Sequence, residues 1–188
     1  HGGPARWPKV LTTRGTLGDG GGAYVVDTLT LPDDNPWKSW MRPSGLDFFS
    51  DGSLALCTLN GDVWLTTNRG ATWRSVAGTE AGPLPVRAVN DIVVDPLNDS
   101  TAYVAYSGFD SGGSGRGHLF RTTNGGATWE DISGNLPDVP VNTILIDPDS
   151  SGSARVLYVG TDIGVFRSSP DGSFNWQPFG TGLPPVVV

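Results

Sequence analysis

Short apolar runs broken by Gly, Pro, Asp or Asn recur along the chain in one fixed order. Val89-Asn90-Asp91-Ile92-Val93-Val94-Asp95-Pro96 and Val141-Asn142-Thr143-Ile144-Leu145-Ile146-Asp147-Pro148 each end in a turn signal, and Gly45-Leu46-Asp47-Phe48-Phe49-Ser50-Asp51-Gly52 is a looser member of the set. A second run follows each of them: Leu54-Ala55-Leu56-Cys57-Thr58, Ala102-Tyr103-Val104-Ala105-Tyr106 and Val156-Leu157-Tyr158-Val159-Gly160. A third comes next, at Asp62-Val63-Trp64-Leu65, His118-Leu119-Phe120-Arg121 and Gly164-Val165-Phe166-Arg167. Runs this short, punctuated this often, predict strands and tight turns, not helices. Each unit therefore reads as three strands, a polar turn, and a last strand starting near a Trp.

The polar turn is the most regular part. Thr66-Thr67-Asn68-Arg69-Gly70-Ala71-Thr72-Trp73 returns almost intact as Thr122-Thr123-Asn124-Gly125-Gly126-Ala127-Thr128-Trp129. Ser168-Ser169-Pro170-Asp171-Gly172-Ser173-Phe174-Asn175-Trp176 is a third copy, with Pro in the Asn position and one extra residue. A hydroxyl and a short amide can close a hairpin by bonding to backbone, Gly supplies positive φ, and Trp can pack between neighbouring sheets. A period of roughly 50 residues suits a four-stranded propeller blade. The turn resembles the Asp box, or bacterial neuraminidase repeat, Ser/Thr-x-Asp-x-Gly-x-Thr-Trp, with Asn68 and Asn124 in place of Asp. That resemblance implies a structural role for Thr66, Asn68, Gly70, Trp73, Thr122, Asn124, Gly126, Trp129, Ser168, Gly172 and Trp176, on the blade periphery and away from any ligand.

The expected fold is thus all-β, a β-propeller of four-stranded antiparallel blades within a single domain, 1–188. Blades are expected at 41–80, 84–134 and 136–180. Residues 1–40, with runs at Pro8–Gly15 and Ala23–Thr30, are expected to supply N-terminal strands of a closing blade that 182–188 begins from the other end. Gly182-Leu183-Pro184-Pro185-Val186-Val187-Val188 echoes Asn135-Leu136-Pro137 and Pro83-Leu84-Pro85 before the earlier first strands. A four-bladed ring closed between the termini is one expectation. An open fragment, or one completed by another copy, is the other. Residues 24–64 also resemble a propeller-type segment of planctomycete-like secreted proteins that carry a cytochrome c domain elsewhere, which implies an extracellular, cell-surface or periplasmic bacterial setting. No signal peptide is visible in the chain.

Composition agrees with a turn-rich sheet protein and narrows function. Of 188 residues, 27 are Gly and 15 Pro, a load that helix interiors do not tolerate. A net charge of −7 leaves no basic footprint for nucleic acid. No apolar run approaches a membrane span, so membrane insertion is not expected. Cys57, the one cysteine, rules out an intrachain disulfide and a thiolate cluster, and its apolar neighbours predict a buried position.

Candidate chemistry is sparse. A sialidase needs a glutamate-assisted Tyr, yet the glutamates are Glu80 and Glu130, the latter beside Trp129. A carboxylate pair of the xyloglucanase kind could draw on Asp47 or Asp91, which turn and surface roles explain equally well. Asp147-Pro148-Asp149-Ser150-Ser151-Gly152 imitates half a calcium loop, but Tyr158 stands where the bidentate acid belongs, so a β-turn is the better reading. His1 and His118 could brace copper; a fragment start and a strand start explain them as well. No haem attachment signature, phosphate loop or zinc helix is present, and no catalytic residue, cofactor or metal is expected. Trp7, Trp37 and Trp40 lie outside the repeats, where packing on the ring or, for Trp37 and Trp40, stacking on a sugar would employ them. The expected function is that of a non-catalytic module with a protein partner or self-association. A glycan ligand, as a carbohydrate-binding module or part of a glycoside hydrolase, is the alternative.

Overall fold

The computed structural model describes residues 7–77, 84–110, 117–152 and 155–180. Among them every regular element is a strand. The first sheet holds β1 (Leu11–Thr12), β2 (Pro43–Phe48), β3 (Leu54–Thr58), β4 (Val63–Thr66) and β5 (Thr72–Ser75), in the order β1-β5-β4-β3-β2. The second holds β6 (Val89–Val94), β7 (Ala102–Tyr106), β8 (Leu119–Thr122) and β9 (Glu130–Asp131) in sequential order. The third holds β10 (Val141–Ile146), β11 (Leu157–Thr161), β12 (Gly164–Ser168) and β13 (Trp176–Phe179), again sequential. All pairings are antiparallel, and each predicted unit becomes one four-stranded blade.

Pairing places Ala55, Tyr103 and Tyr158 at one position of the repeat, and Leu65, Arg121 and Arg167 at another. One face of each blade carries these residues, and the next blade packs on it. Ala55, Cys57 and Val63 of the first blade enclose a core with Ile92, Val94, Val104, Phe120 and Trp129 of the second. Tyr103, Ala105 and Leu119 of the second do the same with Ile144, Ile146, Val159 and Trp176 of the third. Fully burying an apolar side chain of this size stabilises by about 1.5–3 kcal/mol, so each of these interfaces adds substantially to the stability. Cys57 lies fully buried in the first, where burial raises its thiol pKa to about 11.

The Trp turns fasten neighbouring blades. The Trp129 indole donates to the Val76 carbonyl of the first blade at 3.0 Å, and the Trp176 indole donates to the Ile132 carbonyl of the second at 3.0 Å. Within the first two turns, Thr66 and Thr122 accept from the amides of Gly70 and Gly126 at 2.9 Å, while Asn68 and Asn124 accept from the amides of Thr72 and Thr128 at 2.8 Å. Gly70 and Gly126 sit at φ 80° and 81°, which favours glycine. The third turn, lengthened by one residue, closes differently: Ser168 accepts from the Leu157 amide of its own sheet, and Asp171 accepts from the Ser173 amide.

The N-terminal segment is placed differently from the predicted pair of blade strands. Only β1 joins a sheet, on the outer edge of the first blade, and the Ala23–Thr30 run meets residues 14–18 through the bridge Thr16↔Thr28, with Thr30 Oγ1 donating to the Arg14 carbonyl at 2.6 Å and the Gly18 amide donating to Asp27 Oδ1 at 2.9 Å. Trp7, Leu11, Leu29, Leu31, Trp37 and Met41 cover the outward face of the first blade over Leu54, Leu56, Trp64 and Trp73. The Trp73 indole donates to Thr13 Oγ1 at 3.1 Å, so this segment stands where a preceding blade would stand for Trp129 and Trp176. Residues 182–188, the other half of the predicted closing blade, lie outside the described residues, as do His1 and Glu80.

Candidate functional site

A polar device recurs at the innermost strands. Each carries a register shift at the same place, between Pro43 and Gly45, Val89 and Asp91, and Val141 and Thr143. A bulge re-aims the skipped side chain, here Ser44, Asn90 and Asn142. Ser44 Oγ donates to the Val89 carbonyl of the second blade, and Asn90 Nδ2 donates to the Val141 carbonyl of the third at 3.0 Å. Carboxylates reinforce the crossing: Asp47 accepts from the Val94 amide at 2.7 Å, and Asp91 from the Ile144 amide at 2.9 Å and Thr143 Oγ1 at 3.1 Å. Asp47 and Asp91, the candidate glycosidase pair, are thus both engaged in joining blades.

The third blade presents the same face with no blade upon it among the described residues. Leu145, at the position of Val93, is 60% exposed, and Phe179 is 48% exposed. Tyr158 is half-buried where its counterpart Tyr103 is 2% exposed. Phe179 stacks edge-on to Tyr158 with ring centroids 4.9 Å apart, and Arg167 lies 5.7 Å from the same Tyr ring. Its counterpart Arg121 reaches across to Phe174 of the following blade at 4.9 Å. Arg167 Nε has no hydrogen-bond partner among the described residues, and the bulge residue Asn142 donates to Asp162 Oδ1 at 2.9 Å. Leu145, Tyr158, Ile163, Val165 and Phe179 therefore form an apolar surface with Asn142 and Arg167 as polar points of recognition.

A second concavity of about 340 Å³ opens beside the Gly108–Gly117 insertion, lined by Asp110, His118, Asp131, Ser133 and Asp138 among others. Its polar groups hold the loop stems. Asp138 accepts from the Asp110 amide at 2.9 Å, and its Oδ1 lies 2.7 Å from His118 Nε2; these bonds hold its pKa below the usual carboxylate value. Asp131 accepts from the Gly117 amide at 2.8 Å, and Ser133 Oγ accepts from the amides of His118 and Leu119. His118 is buried, with its other ring nitrogen 3.3 Å from the Tyr106 carbonyl. Among the described residues its two ring nitrogens are engaged by the Tyr106 carbonyl and Asp138.

The remaining candidates are individually placed. Glu130 is exposed and paired with Arg121 at 2.7 Å. Asp147 accepts from the Asp149 amide at 3.0 Å within a turn. No group of three or more His, Cys, Asp or Glu side chains among the described residues is arranged to hold a metal. Trp37 is half-buried between Trp7 and Trp64, at centroid distances of 4.8 and 6.3 Å. Trp40 is 65% exposed, with Arg42 lying 3.9 Å over its ring. The two do not form one stacking platform.

No family model matches the chain, and no curated protein matches it. Solved structures do. It is similar to a GH74 xyloglucanase from Xanthomonas campestris (TM-score 0.50, 17% identity, 68% of this chain and 20% of that one). It is similar to an ancestral GH74 enzyme (TM-score 0.54, 21% identity, 75% and 19%) and to YCF48 bound to D1 peptide (TM-score 0.52, 18% identity, 73% and 40%). The chain spans about a fifth of the length of the two GH74 enzymes and two fifths of that of YCF48. Such likenesses speak to architecture alone, and with the three blades described above they show an all-β propeller.

Proposed function

We propose that this propeller is a non-catalytic protein-interaction or assembly module of the Asp-box type, acting outside the cytoplasm of a bacterium. One observation carries the reading: among the described residues the third blade exposes the same apolar face that the first two blades bury. A contiguous apolar patch with polar points at its rim is the mark of a protein docking surface. That YCF48 takes a peptide on a similar scaffold supports a protein ligand. Photo-crosslinking from position 179 tests it: protein adducts that disappear when Ile163 is replaced by Asp are expected, and labelling of solvent alone would refute it.

The exposed ring of Trp40, flanked by Arg42, favours a second reading as a carbohydrate-binding module. The likeness to xyloglucanases fits that reading, although Asp47 and Asp91 are committed elsewhere. A glycan array with the wild type and Trp40→Ala separates the two: binding lost in the variant favours sugar, and no binding favours protein.

A further inference from the structure

We infer that the loop end of the first two blades is a second docking surface, separate from the third-blade face, and that it takes an acidic peptide segment with bulky apolar side chains. Strand direction puts the loop before β2, the β3–β4 turn, the loop before β6 and the β7–β8 loop at one end of the sheets, opposite the Trp turns. Each of the four exposes a large apolar side chain: Trp40 at 65%, Leu59 at 45%, Val86 at 70% and Phe109 at 56%. The loops touch in that order. The Leu59 amide donates to the Arg42 carbonyl at 2.9 Å, and Asn60 Nδ2 donates to the Trp40 carbonyl at 2.7 Å. A Cβ on Gly61 would stand 2.5 Å from the Arg87 carbonyl oxygen, so the β3–β4 turn rests on the backbone beside Val86. A Cβ on Gly108 would stand 3.8 Å from Arg87 Cδ, and the Ser107 amide donates to the Ala88 carbonyl at 2.8 Å. Phe109 therefore continues the row onto the second blade.

Trp40 is exposed but fixed. The buried Asn35 side chain accepts from the Ser39 amide at 3.0 Å and donates to the Ser39 carbonyl at 2.7 Å, while Met41 on the other side is buried in the core of the first blade. Lys38, between them, sits at φ 53°, which is costly for a residue other than glycine. An aromatic ring presented from a backbone held this firmly loses little freedom when a partner covers it.

Charge selects the partner. Lys38 and Arg42 flank Trp40, both are exposed, and neither forms an ion pair among the described residues, not even Lys38 with Asp33 or Asp34 of its own loop. A cationic end stands out in a chain of net charge −7. The Phe109 end carries Asp110 and Asp138 instead, the second bonded to His118. A peptide that lays apolar side chains along the row and sets Asp or Glu beside Lys38 and Arg42 complements both features. Four apolar side chains on two blades exceed what one sugar ring covers, and Arg42 already lies over one face of the Trp40 indole at 3.9 Å. The row therefore suits a peptide better than a glycan.

Panning a displayed random peptide library on the 188-residue chain tests this, with thermal melts as fold controls for the variants. Enriched peptides are expected to combine bulky apolar residues with Asp or Glu. By fluorescence polarisation, the synthesised consensus should bind at least about tenfold more weakly to Trp40→Ala and to Phe109→Asp. Leu97→Asp, at an exposed position on the opposite end of the sheets, should leave binding unchanged. Arg42→Glu should weaken the acidic peptide and strengthen a version with Lys in place of its acids, a reversal that misfolding does not produce. No enrichment or a basic consensus overturns the inference, as does equal affinity for the wild type and Trp40→Ala. Oligogalacturonate binding that is lost in Trp40→Ala, with no peptide enriched, assigns the surface to an acidic sugar and overturns it too. Peptides lost on Leu145→Asp but not on Trp40→Ala dock on the third-blade face, which overturns this surface and leaves the reading as a protein-interaction module standing.

Discussion

Removing Arg155 should destabilise the molecule more than any loss of a surface charge. Arg155 and Asp95 are both buried, and they join the third blade to the second. Arg155 Nε donates to Asp95 Oδ2 at 2.8 Å, and its Nη2 donates to Oδ1 in a two-pronged pair. Burial alone would raise the Asp95 pKa, but the bonds from Arg155 and from the Leu97 amide outweigh it and hold the value below 3.8. Arg155→Met takes away the guanidinium and leaves a carboxylate without its partner, which costs about 3–5 kcal/mol for buried pairs. Asp95→Asn with Arg155→Met should recover most of that loss, because no charge stays buried. Urea unfolding followed by Trp fluorescence gives both free energies from the midpoints. The sign with pH is fixed by the shift. In the wild type Asp95 adds stability that is present above its unfolded pKa and is lost as pH falls through the lower folded value. In Arg155→Met the Leu97 amide alone opposes burial, so that pKa lies higher than in the wild type and the gap between variant and wild type should narrow in acid. A loss below about 1 kcal/mol, or a double variant no better than the single, would refute the reasoning.

Three further outcomes follow from other parts of the fold. Gly126→Ala should cost at least about 2 kcal/mol, since φ is 81° and a Cβ there would stand 2.9 Å from that of Val76; urea midpoints check it. Asn124→Ala should cost about 1 kcal/mol by removing the acceptor of the Thr128 amide, while Asn124→Asp keeps that acceptor and should cost less than half as much in the same assay. Cys57 should not react with a thiol reagent at mildly alkaline pH in the native protein, being buried with a pKa of about 11; it should react fully in denaturant, as absorbance of the released chromophore would show.

How far the sequence leads depends on whether a residue acts locally. The strands and turns are legible because period, Gly and Trp act within one unit, and pairing registers such as Leu56↔Trp64, Val104↔Phe120 and Val159↔Phe166 follow from them. The blade-to-blade bonds of Ser44, Asn90, Asp47 and Asp91 are not legible in the same way, because their partners lie 45 to 53 residues away in another unit. The repeated Val-Asn in Val89-Asn90 and Val141-Asn142 is the signal that could have pointed to them. Arg155 and Asp95 left no trace, since an Arg in a loop and an Asp in a turn are ordinary surface residues until the fold buries both. Trp7 and Trp37 could be assigned to packing, but Leu11 and Thr12 as an added edge strand could not, because a two-residue strand has no period.

Carbene footprinting of the chain, alone and with the protein captured by crosslinking from position 179, tests the central claim most directly, that this face of the third blade is a docking surface. Labelling of Leu145, Ile163 and Phe179 should fall on binding, while Leu97 and Leu59 stay constant. Equal labelling of all these residues with and without that protein would contradict the account.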